Sequence, residues 1–278
     1  MNVHRFDRAI VRRPSRAVVD GLRSGSRAPD FERIVAEHQG YVGALREAGL
    51  SVDVLPALEG FADSLFVEDP ALVLGGCAFL LRPGAPSRLG EVDAIRPALG
   101  RHFERIVALP PAGFVDGGDV LVAGKTVFIG LSARTDQPGA TALGMALAEV
   151  GAGAIVVRPP SGQLHLKSAC SLIDDETIFA TRRLIDAEIF AGMKVIPAVE
   201  GEELGANALR LNDVLLVGSG FPRTADLLAG LGYGVVTVDV TEVGKLDAGL
   251  SCMSLRWLAD RGSGPKTTPR EKGEKGSE

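Results

Sequence analysis

VDGGDVLVAGKTVFIG, residues 115–130, combines an acidic, glycine-rich turn with two short apolar segments. Aspartate and glycine are residues that turns favour, for reasons of local hydrogen bonding and backbone freedom. The segments VLVA and TVFIG have the β-branched and apolar composition of buried strands. The stretch therefore predicts a turn that leads into two short strands.

This pattern recurs along the chain. The other segments are VEDPALVLGGCAFLLRPG (67–84), HLKSACSLIDDETIFAT (165–181), GANALRLNDVLLVGSG (205–220) and the shorter GLSCMSLRW (249–257). The markers Glu68, Asp116, His165, Asn207 and Cys252 are separated by 48, 49, 42 and 45 residues, about one small αβ unit. Such units arrange themselves radially or as a solenoid, with equivalent turns at one end. A radial arrangement predicts that Glu68, Asp116, His165 and Cys252 converge.

Amphipathic segments lie before the first of these repeats and between the later ones. DFERIVAEHQGYVGALREAG (30–49) predicts a helix that Asp30 caps and Gly49 ends. EVDAIRPAL, QPGATALGMALAEVG and PRTADLLAGLG show the same helical pattern. Because strands and helices alternate throughout, we expect an α/β fold.

Composition narrows the class of protein. The chain has 278 residues, 46% of them hydrophobic, and a formal net charge of −5, which does not favour a nucleic-acid partner. No apolar run has membrane-spanning length and no secretion signal is evident, so we expect no membrane association and a cytoplasmic location. Residues 1–261 are expected to form a single domain. The segment 262–278 lacks large apolar residues and predicts a disordered tail.

The cysteines and acids point to chemistry at the convergent turns. Cys77, Cys170 and Cys252 are odd in number and far apart, which argues against a disulfide framework and a cysteine-rich zinc site. A free thiol has a pKa near ~8.5, so a nucleophilic Cys252 needs a cationic neighbour, either His165 or the substrate. Neighbouring carboxylates would hold a cationic substrate, and a planar guanidinium fits paired carboxylates best.

Several motifs in the same order resemble those of the dimethylarginine dimethylaminohydrolases, or dimethylargininases, of the guanidino-group-modifying superfamily. They are FADSLFVEDPALV (61–73), RPGAPSRLGEVD (82–93), GFVDGGDVLVAGKTVFIGLSARTDQPG (113–139), LHLKSACS (164–171) and GLSCMS (249–254). The resemblance runs from about Ala9 to about Leu258. It implies a pentein-type α/β propeller with five-fold pseudosymmetry, and hydrolysis of Nω-methylated arginine to citrulline through a covalent cysteine thiouronium. It implies no metal and no cofactor.

The resemblance also implies roles for individual residues. Cys252 would be the nucleophile, His165 the acid-base group, and Asp116 the residue that orients the histidine or contacts the guanidinium. The implied substrate contacts are Glu68 and Asp69 to the guanidinium, Asp63 to the α-amino group, Arg88 and Arg134 to the α-carboxylate, and Leu22 and Leu246 through backbone carbonyls. Neighbouring residues of a strand point to opposite faces, so Glu68 and Asp69 need not both line the pocket.

Two other interpretations stay open at this point. The first is an enzyme of the same superfamily with a different substrate, such as an arginine deiminase or another alkylguanidine hydrolase. The second is a propeller that binds a partner without catalysis; the intact Cys, His and acid turns weigh against it. A small-molecule substrate and a monomer or homodimer are expected.

Overall fold

The computed structural model describes residues 4–259. The outer ends of the predicted domain (1–3 and 260–261) and the predicted disordered tail (262–278) lie outside the described residues. Within residues 4–259, no helix combines the length and the apolar character that crossing a bilayer requires.

In the described part of the chain, the strands form five three-stranded sheets. The strands are β1 (Arg8–Arg12), β2 (Ser51–Leu55), β3 (Ala71–Leu74), β4 (Cys77–Leu80), β5 (Arg105–Ala108), β6 (Val120–Ala123), β7 (Thr126–Gly130), β8 (Gly153–Val157), β9 (Cys170–Leu172), β10 (Thr177–Ala180), β11 (Lys194–Pro197), β12 (Leu209–Leu211), β13 (Val214–Gly218), β14 (Gly234–Val238) and β15 (Leu255–Trp257). The sheet orders are β15-β1-β2, β3-β4-β5, β6-β7-β8, β9-β10-β11 and β12-β13-β14. Each sheet is one repeat unit, which we call a blade.

All blades share one topology. The first strand pairs antiparallel with the second, as Val120 of β6 does with Ile129 of β7, and the second pairs parallel with the third. A parallel pair needs a crossover connection. In the last blade the first strand is β15, which pairs antiparallel with β1 near the other end of the chain, with Ala9 opposite Arg256. This pairing joins the two ends of the described chain in a single blade.

Helices supply the crossovers. They are α1 (Phe31–Glu47), α2 (Glu91–Gly100), α3 (Gln137–Ala148), α4 (Arg182–Ile185), α5 (Pro222–Gly230) and α6 (Thr241–Gly244). The helices predicted from the sequence are confirmed as α1, α2, α3 and α5. Asp30 caps α1 as predicted, because its carboxylate accepts the N–H of Arg33 at 2.9 Å. The first five helices each connect the second and third strands of one blade.

The blades pack around a central axis. Residues of neighbouring blades share buried clusters, as Ile10 of β1, Leu80 of β4 and Leu255 of β15 do. The first strands of all the blades line a central cavity of about 900 Å³. The fold is therefore a five-bladed α/β propeller, which confirms the predicted fold class and the radial arrangement of the repeats.

Candidate active site

In the part of the chain that the structure describes, four of the five repeat turns are short 3₁₀ turns, and each ends at or just before the first strand of its blade. These turns are Gly117–Asp119, Leu166–Ser168, Glu203–Ala206 and Ser251–Met253. They meet at one end of the central cavity: the N–H of Glu68 donates to the carbonyl of Cys252 at 3.2 Å, and His165 contacts Asp116. The structure thus brings Glu68, Asp116, His165 and Cys252 into one neighbourhood, as the radial arrangement predicts.

His165 and Asp116 form a buried pair. His165 Nε2 lies 3.0 Å from Asp116 Oδ2, and the other oxygen of Asp116 accepts the N–H of Gly84 at 2.7 Å. Both side chains are buried. Gly118 packs against the histidine ring so closely that a Cβ there would lie 2.6 Å from Nδ1. The DGGD turn therefore supplies both the carboxylate and the space for the ring.

The charge of His165 depends on three carboxylates. Burial disfavours the imidazolium, but Asp69, Asp116 and Asp119 outweigh burial and raise the pKa of His165 to about 9. Asp119 is a residue that our sequence reasoning missed. Its oxygens accept the N–H of Leu166 at 2.8 Å and the hydroxyl of Thr135 at 2.7 Å. As the second acid of DGGD, it could have been recognised from the motif. The raised pKa makes His165 a cation and a proton donor at neutral pH.

Cys252 lies in the turn Ser251–Met253, and its side chain packs against a buried apolar cluster. Burial raises the pKa of the Cys252 thiol to about 12, and the negative charges of Glu68 and Asp69 add to the shift. The free protein therefore holds a neutral thiol. By contrast, Cys77 and Cys170 are buried at the starts of strands β4 and β9.

Two cationic side chains contact the same carboxylate oxygen of Glu68. Its Oε1 lies 2.6 Å from Lys167 Nζ and 3.4 Å from Arg256 Nη2. Its Oε2 is buried and has no hydrogen-bond partner among the described residues. Sequence reasoning missed Lys167 and Arg256, although Lys167 belongs to the LHLKS motif. One carboxylate oxygen of Glu68 is thus anchored, and the other is available to accept from a ligand.

Asp69 points to a different partner, Arg88. Arg88 Nη1 makes an ion pair with Asp69, Nη2 lies 2.7 Å from Glu91 Oε2, and Nη2 also donates to the carbonyl of Phe66 at 2.9 Å. Burial alone would raise the pKa of Asp69, but Arg88 and His165 hold it at about 2. The N–H of Gly118 donates to the other oxygen of Asp69 at 2.9 Å. The part of Arg88 in binding a substrate carboxylate stays a prediction, because in this structure each of its nitrogens has a protein partner.

The remaining predicted contacts cluster around Asp63. The buried carboxylate of Asp63 accepts the N–H of Leu22 at 2.9 Å, and a Cβ on Gly21 would lie 3.1 Å from both Asp63 Oδ1 and Leu246 Cδ2. Burial raises the pKa of Asp63, while Arg88 and Arg134 oppose that shift. The structure therefore brings together Leu22, Asp63 and Leu246. Arg134 lies close enough to lower the pKa of Asp63. Substrate contacts by these residues stay predictions.

Three donor atoms in the site have the spacing of metal ligands. One atom each from Asp69, Asp116 and His165 lies within 4.8 Å of the others. Carboxylate and imidazole donors suit several divalent metals. These groups already pair with Arg88 and with one another, so a metal ion would compete with the internal pairs.

We expect alkylation of Cys252 by iodoacetamide to keep accelerating with pH up to at least pH ~10, because the thiolate is the reactive form and the thiol pKa is raised. An unstructured cysteine peptide should instead level off near pH ~9. The rate is measured by mass spectrometry of the peptide that contains Cys252. A plateau below pH ~8 would contradict the raised pKa.

Comparison with known proteins agrees with the geometry. No family model matches the chain. The chain is 36% identical over 254 residues to a dimethylarginine dimethylaminohydrolase of Pseudomonas aeruginosa, covering 91% of this chain and 100% of the relative. A dimethylarginine dimethylaminohydrolase of Streptomyces coelicolor is 35% identical over 253 residues, covering 90% and 96%. The structure of a cysteine-to-serine mutant of the Pseudomonas enzyme with citrulline matches with a TM-score of 0.88 at 35% identity, covering 91% of this chain and 99% of that one. The chain belongs to the dimethylarginine dimethylaminohydrolase family.

Proposed function

We propose that this protein hydrolyses Nω-methylated arginine to citrulline and methylamine or dimethylamine. The observation that carries the proposal is the grouping of the Cys252 thiol with the buried acids Glu68 and Asp69 and the His165–Asp116 pair. A guanidinium is planar and cationic, and it fits a pocket lined by carboxylates. Family membership supports the same substrate class, because two relatives at 35–36% identity are dimethylarginine dimethylaminohydrolases.

The charges of the site suit substrate-assisted ionisation of Cys252. Glu68 and Asp69 add to the effect of burial in raising the pKa of the thiol, and Lys167 offsets only part of that shift. A guanidinium bound beside these acids would offset their charge and lower the thiol pKa. Glu68 Oε2 is an acceptor available for this contact. The thiolate would therefore form when the substrate is present, and the thiol proton would leave to solvent because His165 is already protonated.

The covalent steps follow from these protonation states. The Cys252 thiolate attacks the guanidinium carbon and forms a C–S bond, giving a tetrahedral adduct. Protonated His165 donates its proton to the alkylated nitrogen, the C–N bond breaks, and the methylated amine leaves from a thiouronium. Neutral His165 then accepts a proton from water, whose oxygen attacks the same carbon. Cleavage of the C–S bond releases citrulline and returns the thiol.

The other end of the substrate is an amino acid backbone with two opposite charges. Asp63 is a buried carboxylate that would accept from the α-amino group. Arg134, which lies near Asp63, would hold the α-carboxylate. The backbone carbonyls of Leu22 and Leu246, which lie around Gly21, would complete the contacts. This arrangement predicts that a free amino acid is preferred over an N-acylated or peptide-linked one.

The proposal is tested by incubating the full chain with asymmetric dimethylarginine, monomethylarginine and arginine in parallel and measuring citrulline and released amine. We expect equimolar citrulline and methylated amine, with arginine at least ~10-fold slower, since each 1.4 kcal/mol of selective binding gives that factor. Preference for arginine with release of ammonia would contradict the proposed substrate and favour a deiminase. The absence of citrulline from all three compounds would overturn the reaction itself.

A further inference from the structure

We propose that Asn207 is a positioning residue that fixes the turn of Cys252 against the turn of His165. The inference rests on the proposed role of Cys252 as the nucleophile. Asn207 marks the fourth repeat, at the position where the other repeats carry Glu68, Asp116, His165 and Cys252. The proposed chemistry gives it no role, although it lies at the same end of the propeller.

The side-chain amide of Asn207 bridges two turns. Its Oδ1 accepts the N–H of Ser251 at 3.1 Å, and its Nδ2 donates to the Ser251 hydroxyl at 3.1 Å. The same Nδ2 donates to the carbonyl of Lys167 at 2.8 Å. Ser251 precedes Cys252, and Lys167 follows His165 by two residues. One amide therefore connects the nucleophile turn directly to the histidine turn.

The fit between Asn207 and the nucleophile turn is tight. A Cβ on Gly249 would lie 2.5 Å from Asn207 Oδ1, which is far inside a van der Waals contact. The turn approaches the amide this closely because position 249 is glycine. Both donors and the acceptor of the amide have partners, and only one orientation of the amide satisfies all of them. Asn207 thus holds the turn in one place.

Asn207 is also connected to Glu68 through Lys167. The carbonyl that Asn207 binds belongs to Lys167, whose ammonium lies 2.6 Å from Glu68 Oε1. Moving the Lys167 backbone would therefore shift the position of Glu68 as well as that of His165. We expect the relative placement of thiol, imidazole and guanidinium-binding acid to depend on this one amide.

The variant Asn207→Asp removes hydrogen-bond donors of the side chain without changing its size. Asn207→Asp keeps the shape and the acceptor for the Ser251 N–H, but it removes both donors and places a carboxylate next to the Lys167 carbonyl. The added negative charge lies beside the turn of Cys252, where Glu68 and Asp69 already disfavour the thiolate. We expect a higher thiol pKa and a displaced turn.

Asn212 offers a matched control. Its Nδ2 donates to the carbonyls of Phe6 and Ala48 at 3.0 and 2.7 Å, and its Oδ1 accepts the N–H of Phe6 at 3.0 Å. Asn212→Asp removes the same number of donated hydrogen bonds at a position that bridges elements away from Cys252 and His165. Both variants are expected to lower the midpoint of urea unfolding to a similar extent.

The deciding measurement is the rate of Cys252 alkylation by iodoacetamide against pH, followed at the peptide level in the full chain. We expect Asn207→Asp to slow alkylation about tenfold at a fixed pH below the thiol pKa, since one pKa unit changes the thiolate fraction tenfold. Asn212→Asp should stay within about twofold of the parent. With methylarginine as substrate, Asn207→Asp should lower kcat about tenfold or more and change KM less.

The outcomes separate this inference from the proposed function. Equal alkylation rates and equal kcat for the two variants, in a parent that is active, would overturn the positioning role of Asn207 alone. A parent chain that releases no citrulline from either methylated arginine would overturn the proposed function instead. A selective loss of kcat in Asn207→Asp that exceeds its loss of alkylation rate supports the inference, because the added charge alone would act on both through the thiol pKa.

Discussion

Cys252→Ser is expected to abolish citrulline release while the protein stays folded. A serine hydroxyl is a far weaker acid than a thiol, and the negative charges of Glu68 and Asp69 that already disfavour the thiolate would disfavour an alkoxide still more. We expect kcat to fall by a factor on the order of 10³ or more, as for removal of other covalent nucleophiles. The measurement is citrulline release from asymmetric dimethylarginine, with circular dichroism as the check of folding.

Cys77→Ser is the matched control for this variant. Cys77 is buried at the start of β4 and packs in an apolar cluster with Phe79 and Leu81. The same chemical change there should reduce stability by about 1 kcal/mol or more without a selective effect on kcat, since it places a hydroxyl in an apolar site. If Cys252→Ser retained turnover within about tenfold of the parent, Cys252 would not be the nucleophile.

The repeat made much of the fold predictable from the sequence. Each unit places turn residues before two apolar strands and an amphipathic helix after them, and each unit became one blade. A local signal such as the Asp30 cap predicts the start of α1 because capping depends only on neighbouring residues. The near-constant spacing then favoured a radial arrangement, which brings distant markers together.

Partners that come from distant parts of the chain were not predictable in the same way. Glu68 and Arg256 are 188 residues apart and meet only because β15 closes the ring. Lys167 reads as an ordinary charged residue until the turns converge. Arg88 was predicted as a substrate ligand, and the structure shows the ion pairs with Asp69 and Glu91 that the sequence could not indicate.

Arg88→Met is expected to destabilise the protein by about 3–5 kcal/mol, because it leaves two buried carboxylates without their shared cation. Asp69 and Glu91 are both buried, and the low pKa of Asp69 depends mainly on Arg88. The variant also leaves the carbonyl of Phe66 without its donor. The measurement is urea unfolding of the variant and the parent at neutral pH.

Arg101→Met is the exposed counterpart. Arg101 pairs with Asp53 at 2.7 Å, but its side chain is 54% exposed, so its loss should change stability by less than about 1 kcal/mol. The comparison also decides what Arg88 does. If Arg88→Met kept the parent's stability and only raised KM, the guanidinium would be a substrate ligand that leaves its pairs when substrate binds. If stability falls as expected, Arg88 holds the pocket acid Asp69 in place, and Arg134 becomes the principal candidate for the substrate carboxylate.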